Sequence, residues 1–189
     1  MSEAAEKILA WSKEIGQSSC VPWNRFPEIY LYMDQVLTYM DKQLHLYERD
    51  ENDCLLTSSM INNYVKDGVL PRPEQKKYSR EHLAVLTVIC MLKQVLSIQD
   101  IAMLINTLLQ NASPNEMYER FCDAQSSALR EICERVDTAA QKGDDELMRL
   151  VIELSVEANA RRTASERILS ELNAEKATGD EPREKGRKK

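Results

Sequence analysis

A chain of 189 residues, 43% hydrophobic, with only five glycines and six prolines, suits one helical domain with an extension and leaves little room for a many-stranded fold. Its formal net charge of −6 argues against an indiscriminate binder of polyanions, and no apolar run is long enough to cross a membrane. The five cysteines, Cys20, Cys54, Cys90, Cys122 and Cys133, include no Cys-x-x-Cys pair and have no histidine close in sequence, so reduced, mostly buried thiols are expected rather than a disulfide framework or a zinc site.

In chain order, Ala4 to Ile15 predicts a short amphipathic helix with Ile8, Trp11 and Ile15 on one side. Met1 to Ile15 is acidic and amphipathic rather than a basic leader followed by an apolar stretch, which points to the cytoplasm. Gly16 to Pro27 carries Pro22, Trp23, Phe26 and Pro27 and reads as an ordered strap, because flexible linkers seldom hold Trp and Phe. Glu28 to Tyr47 places Ile29, Tyr32, Met33, Val36, Leu37, Met40 and Leu44 at spacings of three and four, predicting one amphipathic helix. Tyr30, Tyr39 and Tyr47 read as edges of that stripe rather than as a platform for bases, and Arg49 to Asp53 as a charged loop.

The stretch from Thr57 to Leu104 is the most informative. Thr57 or Ser58 suits a helix N-cap, Met60, Ile61, Tyr64 and Val65 fall on one side of the helix, and Ser59, Asn62, Asn63 and Lys66 fall on the other. Asp67-Gly68 ends it, glycine taking the left-handed conformation a helix C-terminus needs. Pro71-Arg72-Pro73-Glu74 forbids helix and central strand, while Val69-Leu70 and Lys76-Lys77-Tyr78 are expected to pair as a short hairpin, a wing. Ser79 caps a helix whose Leu83, Leu86, Val88, Ile89, Met91 and Leu92 are dense enough to be buried, and Ser97 with Asp100 opens another over Ile98 to Leu109.

This order of parts is similar to the MerR-type winged helix-turn-helix of bacterial transcription regulators, in which a short helix ends in aromatic residues and Glu-Gly-Leu-Leu and a wing ends in Tyr-Ser before the next helix. It also resembles an uncharacterised bacterial family, a domain of unknown function common in Firmicutes, in which four motifs recur: LYMDQV (Leu31 to Val36), MINNYVK (Met60 to Lys66), KKYSREHL (Lys76 to Leu83) and LKQVLSI (Leu92 to Ile98). The resemblance covers roughly Pro22 to Leu109. It implies an all-α fold, a MerR-like winged helix-turn-helix with a small β-wing. It further implies double-stranded DNA as partner, with Ser58, Ser59, Asn62, Asn63 and Lys66 towards the major groove, Arg72, Lys76, Lys77 and Arg80 on phosphates, and Thr57 and Tyr78 also among the DNA-binding residues. MerR-type recognition helices usually carry an arginine before the aromatic residues; here Asn62 and Asn63 stand before Tyr64. An asparagine amide has its own use, pairing with the major-groove edge of adenine. Some MerR-type proteins sense metals or oxidants through cysteines, and Cys122 with Cys133 is the pair that invites such a reading.

Charge is distributed accordingly. Between Leu55 and Val95, six basic residues, Lys66, Arg72, Lys76, Lys77, Arg80 and Lys93, face three acidic ones, leaving +3. Residues 1–54 carry five basic and ten acidic side chains and residues 96–175 carry eight and fifteen, leaving −5 and −7. If four or five of the module's cations reach phosphates, log affinity falls against log salt with a slope near −0.9 times that number.

The C-terminal third predicts a long helical hairpin. Ser113-Pro114-Asn115-Glu116 is a capping box with proline at the first helical position, followed by Met117, Phe121, Ala124, Ala128, Ile132, Val136 and Ala139 at helical spacing up to Lys142-Gly143. A second helix starts at Asp144 or Asp145 with a stripe of Leu147, Val151, Leu154, Ala158, Ser165, Ile168 and Leu172. Its surplus apolar surface either meets a second copy, giving a homodimer, or folds back over the core. The expected divisions are 1–27 (helix and strap), 28–110 (DNA-binding domain), 111–175 (hairpin) and 176–189, a disordered basic tail with Lys185, Arg187, Lys188 and Lys189.

No catalytic site, metal site or cofactor is expected: His45 and His82 lie on separate predicted helices, and no nucleophile elbow or phosphate-cradling glycine loop is present. Two readings stay open: a DNA-binding regulator, and a protein-interaction module that uses the acidic hairpin.

Overall fold

The computed structural model describes residues 2–17, 20–47 and 55–179. Among these there are seven α-helices and no strand: α1 (Glu3–Gln17), α2 (Met33–Leu44), α3 (Ser58–Lys66), α4 (Arg80–Leu92), α5 (Ile98–Leu109), α6 (Pro114–Lys142) and α7 (Asp144–Gly179). The expected loop over Arg49 to Asp53, Cys54 and the tail from residue 180 lie outside the described residues; residues 176–179, assigned above to the tail, are the last turn of α7.

Local chemistry sets most helix starts. The Thr57 hydroxyl accepts from the Met60 amide at 3.2 Å, the Ser97 hydroxyl from the Asp100 amide at 3.1 Å, and Ser113 forms a reciprocal box with Glu116 in which the Ser113 amide donates to the carboxylate at 2.8 Å. Each satisfies an amide that the first helical turn leaves without a partner. Gly143, at φ +115°, breaks α6 from α7.

α4 is the axis of the main core. Nine consecutive residues, His82 to Cys90, are buried, more than one helical face, so neighbours surround it. Val36 and Met40 of α2, Ile61 and Tyr64 of α3, Ile101 and Ile105 of α5 and Met117 and Tyr118 of α6 join it in one cluster. Each such buried side chain contributes about 1.5 to 3 kcal/mol. The cluster runs across residue 110, where the sequence suggests a domain boundary, so the first turns of α6 belong to the core.

The helix predicted over Glu28 to Tyr47 is shorter at both ends. Glu28 to Tyr32 is not helical, and Ile29 and Tyr32, placed above in the apolar stripe, are 71% and 51% exposed. Leu31 is instead drawn into a backbone pair with Tyr78, and the Tyr32 amide donates to Gln35 Oε1 at 2.9 Å, which starts the helix at Met33. His45–Tyr47 closes it as a single 3₁₀ turn.

The expected wing is not formed as drawn. Gly68, at φ +73°, turns the chain back over α3, and the amides of Val69 and Leu70 both donate to the Tyr64 carbonyl, at 2.9 and 3.0 Å, while their side chains are buried. Pro71 and Pro73 have no N–H with which to continue a ladder. What remains is an isolated pair between Glu74 and Lys77 across a two-residue turn, and the separate pairing of Tyr78 with Leu31.

The strap docks as predicted. A 3₁₀ turn at Trp23–Arg25 leads to Phe26, buried with its ring centroid 5.1 Å from that of Tyr118 and 6.2 Å from that of Tyr39. α1 lies antiparallel on the far half of α6: Ser2 Oγ donates to Asp144 at 2.6 Å, and Ser12 Oγ to Asp137 at 2.8 Å. Ile8 joins Ile132, Val136, Ala139, Leu147, Leu150 and Leu154 in a second, smaller core. α6 and α7 form the expected antiparallel hairpin, clasped by Arg135, which donates to Glu157 at 2.8 Å and to Glu153 at 3.2 Å, and α7 then reaches α5. In α7 the stripe differs from the predicted one. Leu150 and Leu169 are buried, whereas Val151, Ile168 and Leu172 are exposed, because the buried face is the one that meets α6 and α5.

Candidate nucleic-acid interface

α3 is anchored from one side. Ile61 and Tyr64 are buried and Thr57 caps the helix, so the opposite face is left to solvent with Ser58, Ser59, Asn62, Asn63 and Lys66 all exposed. Thr57, also expected among the DNA-binding residues, differs: its hydroxyl is committed to the cap and the residue is half-buried.

The basic turn follows α3 in the chain. The Lys77 amide donates to the Glu74 carbonyl at 2.8 Å, with Gln75 at φ 51° and Lys76 at φ 63°. Two consecutive left-handed residues make the tight hairpin turn that normally demands Asn-Gly; a side chain there costs about 1 to 2 kcal/mol per residue. The strained turn thrusts Lys76 into solvent. Lys77 lies with its ammonium 5.7 Å from the Tyr32 ring centroid, and Arg72 is exposed on the preceding loop.

The remaining predicted contacts are engaged elsewhere. Tyr78 is 3% exposed, with its ring edge-on to His82. Arg80 pairs with Glu28 at 3.4 Å and stacks on the Trp23 ring at 5.8 Å. Lys93 Nζ donates to the Leu55 carbonyl, so it joins α4 to the segment before α3 instead of facing outward. Lys66, Arg72, Lys76 and Lys77 are then the cations presented by this module.

His82 holds the base of the turn. Its Nδ1 accepts from the Ser79 amide at 3.1 Å, closing a capping box at the start of α4. Nε2 is buried without a hydrogen bond of normal geometry and faces the backbone of Arg72 and Pro71. Burial pushes the imidazole below its ordinary pKa, outweighing the Arg72 and Pro71 carbonyls and the charges of Glu81 and Glu74. A neutral ring with Nδ1 as acceptor is what the cap requires, and phosphate binding is not open to this histidine. Among the described residues no group of three or more His, Cys, Asp or Glu side chains is placed to hold a metal ion.

One feature escapes sequence reasoning. Cys122 does not meet Cys133, which donates to the Ser12 carbonyl at 3.4 Å; it shares a cavity wall with Cys20, and the two thiols shift each other's pKa. About a hundred residues separate them, and no local pattern marks the pairing.

These elements define an all-helical protein in which one short helix offers a polar face beside a strained basic turn. The chain belongs to the family described as a domain of unknown function (DUF1836), whose model matches residues 21–121, from the strap through the first two turns of α6. No curated protein and no solved structure matches it.

Proposed function

We propose that this protein is a sequence-specific double-stranded-DNA-binding transcription regulator, built on a MerR-like helix-turn-helix whose wing is reduced to the tight turn between Glu74 and Lys77, and acting as a homodimer. The reading rests on α3, whose outward face holds two amides, two hydroxyls and a lysine and is fixed from behind by Ile61, Tyr64 and the Thr57 cap. A rigid polar helix of that kind suits base edges, the asparagines towards adenine. Lys76 and Lys77 on the turn, with Arg72, supply phosphate contacts that set orientation without reading sequence.

For the dimer, α7 carries Met148, Val151, Ile152 and Val156, all more than half exposed. Met148, Ile152 and Val156 repeat every fourth residue, so an antiparallel second copy centred on Ile152 sets Met148 against Val156 and Ile152 against itself. Two such protomers suit half-sites about 34 Å apart.

The test is selection from random DNA fragments with the purified protein, followed by a salt titration. Enrichment of a palindrome, with a log–log salt slope of about −3 per protomer from the three phosphate-reaching cations, is the expected outcome. Retention on DNA that is unchanged when Lys76 and Lys77 are both replaced by glutamate would sink it.

The same exposed apolar residues of α7 also favour a second reading, an interaction module that binds a different protein through the hairpin. Selection without enrichment of any sequence would favour it.

A further inference from the structure

The Tyr118 hydroxyl donates to the Val21 carbonyl at 2.9 Å, pinning the start of the strap across the first turns of α6. Cys122 lies one helical turn beyond Tyr118 on the same face, and Cys20 adjoins Val21, so the two sulfurs are delivered to one place. The two thiols and the Tyr118 hydroxyl lie on one cavity wall, and each shifts the ionisation of its neighbours. Both line a cavity of about 580 Å³ with Trp23, Asn115, Tyr118 and Asp123. Its mouth is open and both cysteines are only part-buried, so a small oxidant has access. The other described thiols lack these features: Cys90 is buried in the core, and Cys133 faces Gly16 and the Ser12 carbonyl of α1.

We propose that Cys20 and Cys122 are a dithiol pair that closes to an intramolecular disulfide on exposure to a hydroperoxide, tying the strap covalently to α6. The two sulfurs have different environments. The neighbouring Cys122 thiol holds the Cys20 thiol below its ordinary pKa against the opposing effect of burial, and Cys20 together with burial pushes Cys122 far up. Cys20 is therefore the first nucleophile; once it is a sulfenic acid it no longer carries the charge that holds Cys122 up, and Cys122 ionises to act as the resolving thiol. The Cys20 thiolate attacks one oxygen of hydrogen peroxide, the O–O bond breaks, and the departing hydroxide takes a proton to leave as water. Cys122 sulfur then attacks the Cys20 sulfenic acid; the S–S bond forms, the S–O bond breaks, and the Cys122 proton leaves with the hydroxyl as a second water. Two electrons pass from the thiols to the peroxide, and an added thiol reverses the cross-link by exchange. Nothing in this step depends on DNA binding, so it stands or falls separately from the proposed function.

The experiment uses the full chain, reduced, exposed to hydrogen peroxide, blocked with N-ethylmaleimide and digested without reductant for mass spectrometry. Expected is one peptide pair joining Cys20 to Cys122, within a single chain on a non-reducing gel. Cys122→Ser should leave a Cys20 sulfenic acid that dimedone traps, Cys20→Ser should leave Cys122 reactive to maleimide, and Cys133→Ser should leave the cross-link intact. In the reduced protein Cys20 should be alkylated at neutral pH about tenfold faster than Cys133. A cross-link between chains, a Cys20 partner other than Cys122, or two thiols still reactive after peroxide has oxidised glutathione in the same tube would overturn the proposal.

Discussion

Leu31 and Tyr78 exchange both backbone hydrogen bonds, Leu31 N–H to Tyr78 O at 2.9 Å and Tyr78 N–H to Leu31 O at 2.8 Å. That single pair joins the segment entering α2 to the segment entering α4, and both side chains are buried beneath it. Tyr78→Ala should therefore lower unfolding stability by about 3 to 5 kcal/mol, measured by urea denaturation. Tyr78→Phe should stay within about 1 kcal/mol and leave DNA retention unchanged. A loss of retention in the phenylalanine variant at full stability would show that the hydroxyl touches DNA.

Glycine substitutions should act in opposite directions at two nearby sites. Lys76 has φ 63°, so Lys76→Gly relieves strain and should raise stability by about 0.5 to 1 kcal/mol while weakening DNA binding. Gly68 has φ +73° with open space where a Cβ would stand, so Gly68→Ala should cost about 1 kcal/mol from backbone conformation alone. Thermal unfolding of both variants checks the pair; equal signs would contradict the left-handed turn.

Stability should fall as the solution is acidified past the range where free histidine titrates. The folded pKa of His82 lies below its ordinary value near 6.5, so between the two values the unfolded chain binds more protons than the folded one. The contribution is fully present above pH 6.5 and is lost progressively as pH falls towards the folded value, where the imidazole takes a proton and Nδ1 stops accepting from Ser79. Denaturation of wild type and His82→Gln at pH 7.5 and pH 5.5 should show the smaller acid loss in the variant. An identical loss in both would place the acid sensitivity elsewhere.

If α7 forms the dimer, Ile152→Glu should convert it to monomer. The residue is 65% exposed in the single chain, so the substitution leaves folding stability within about 0.5 kcal/mol, and light scattering with a circular dichroism melt separates the two effects. An unchanged dimer would move the interface off this face.

Helix starts were legible in the sequence because Thr57, Ser97 and Ser113 act on amides three residues away, within reach of a local pattern. The outward face of α3 was legible for the same reason, buried Ile61 and Tyr64 fixing the direction of Asn62 and Asn63. Pairings between distant segments were not. Leu31 with Tyr78 depends on how the core brings two loops together, and it overrode a helical periodicity at Ile29 and Tyr32 that was real in spacing yet had nothing to bury against. Lys93, counted among the free cations on charge alone, is turned inward by a carbonyl contributed from before α3. Cys20 and Cys122 share a cavity because the strap packs across α6, with Val21 held by the Tyr118 hydroxyl and Phe26 by its ring.

α6 belongs to two cores at once, Met117 and Tyr118 in the main one and Val136 and Ala139 in the other, with no break across its 29 residues. An unbroken helix of that length is about 43 Å long and behaves as a stiff lever. A tilt of about 5° at the Tyr118 end sweeps the Gly143 end through about 3 Å, carrying α1 and the start of α7 with it. Cys122 lies one turn from Tyr118, at the end of α6 where a small change in packing gives the longest throw.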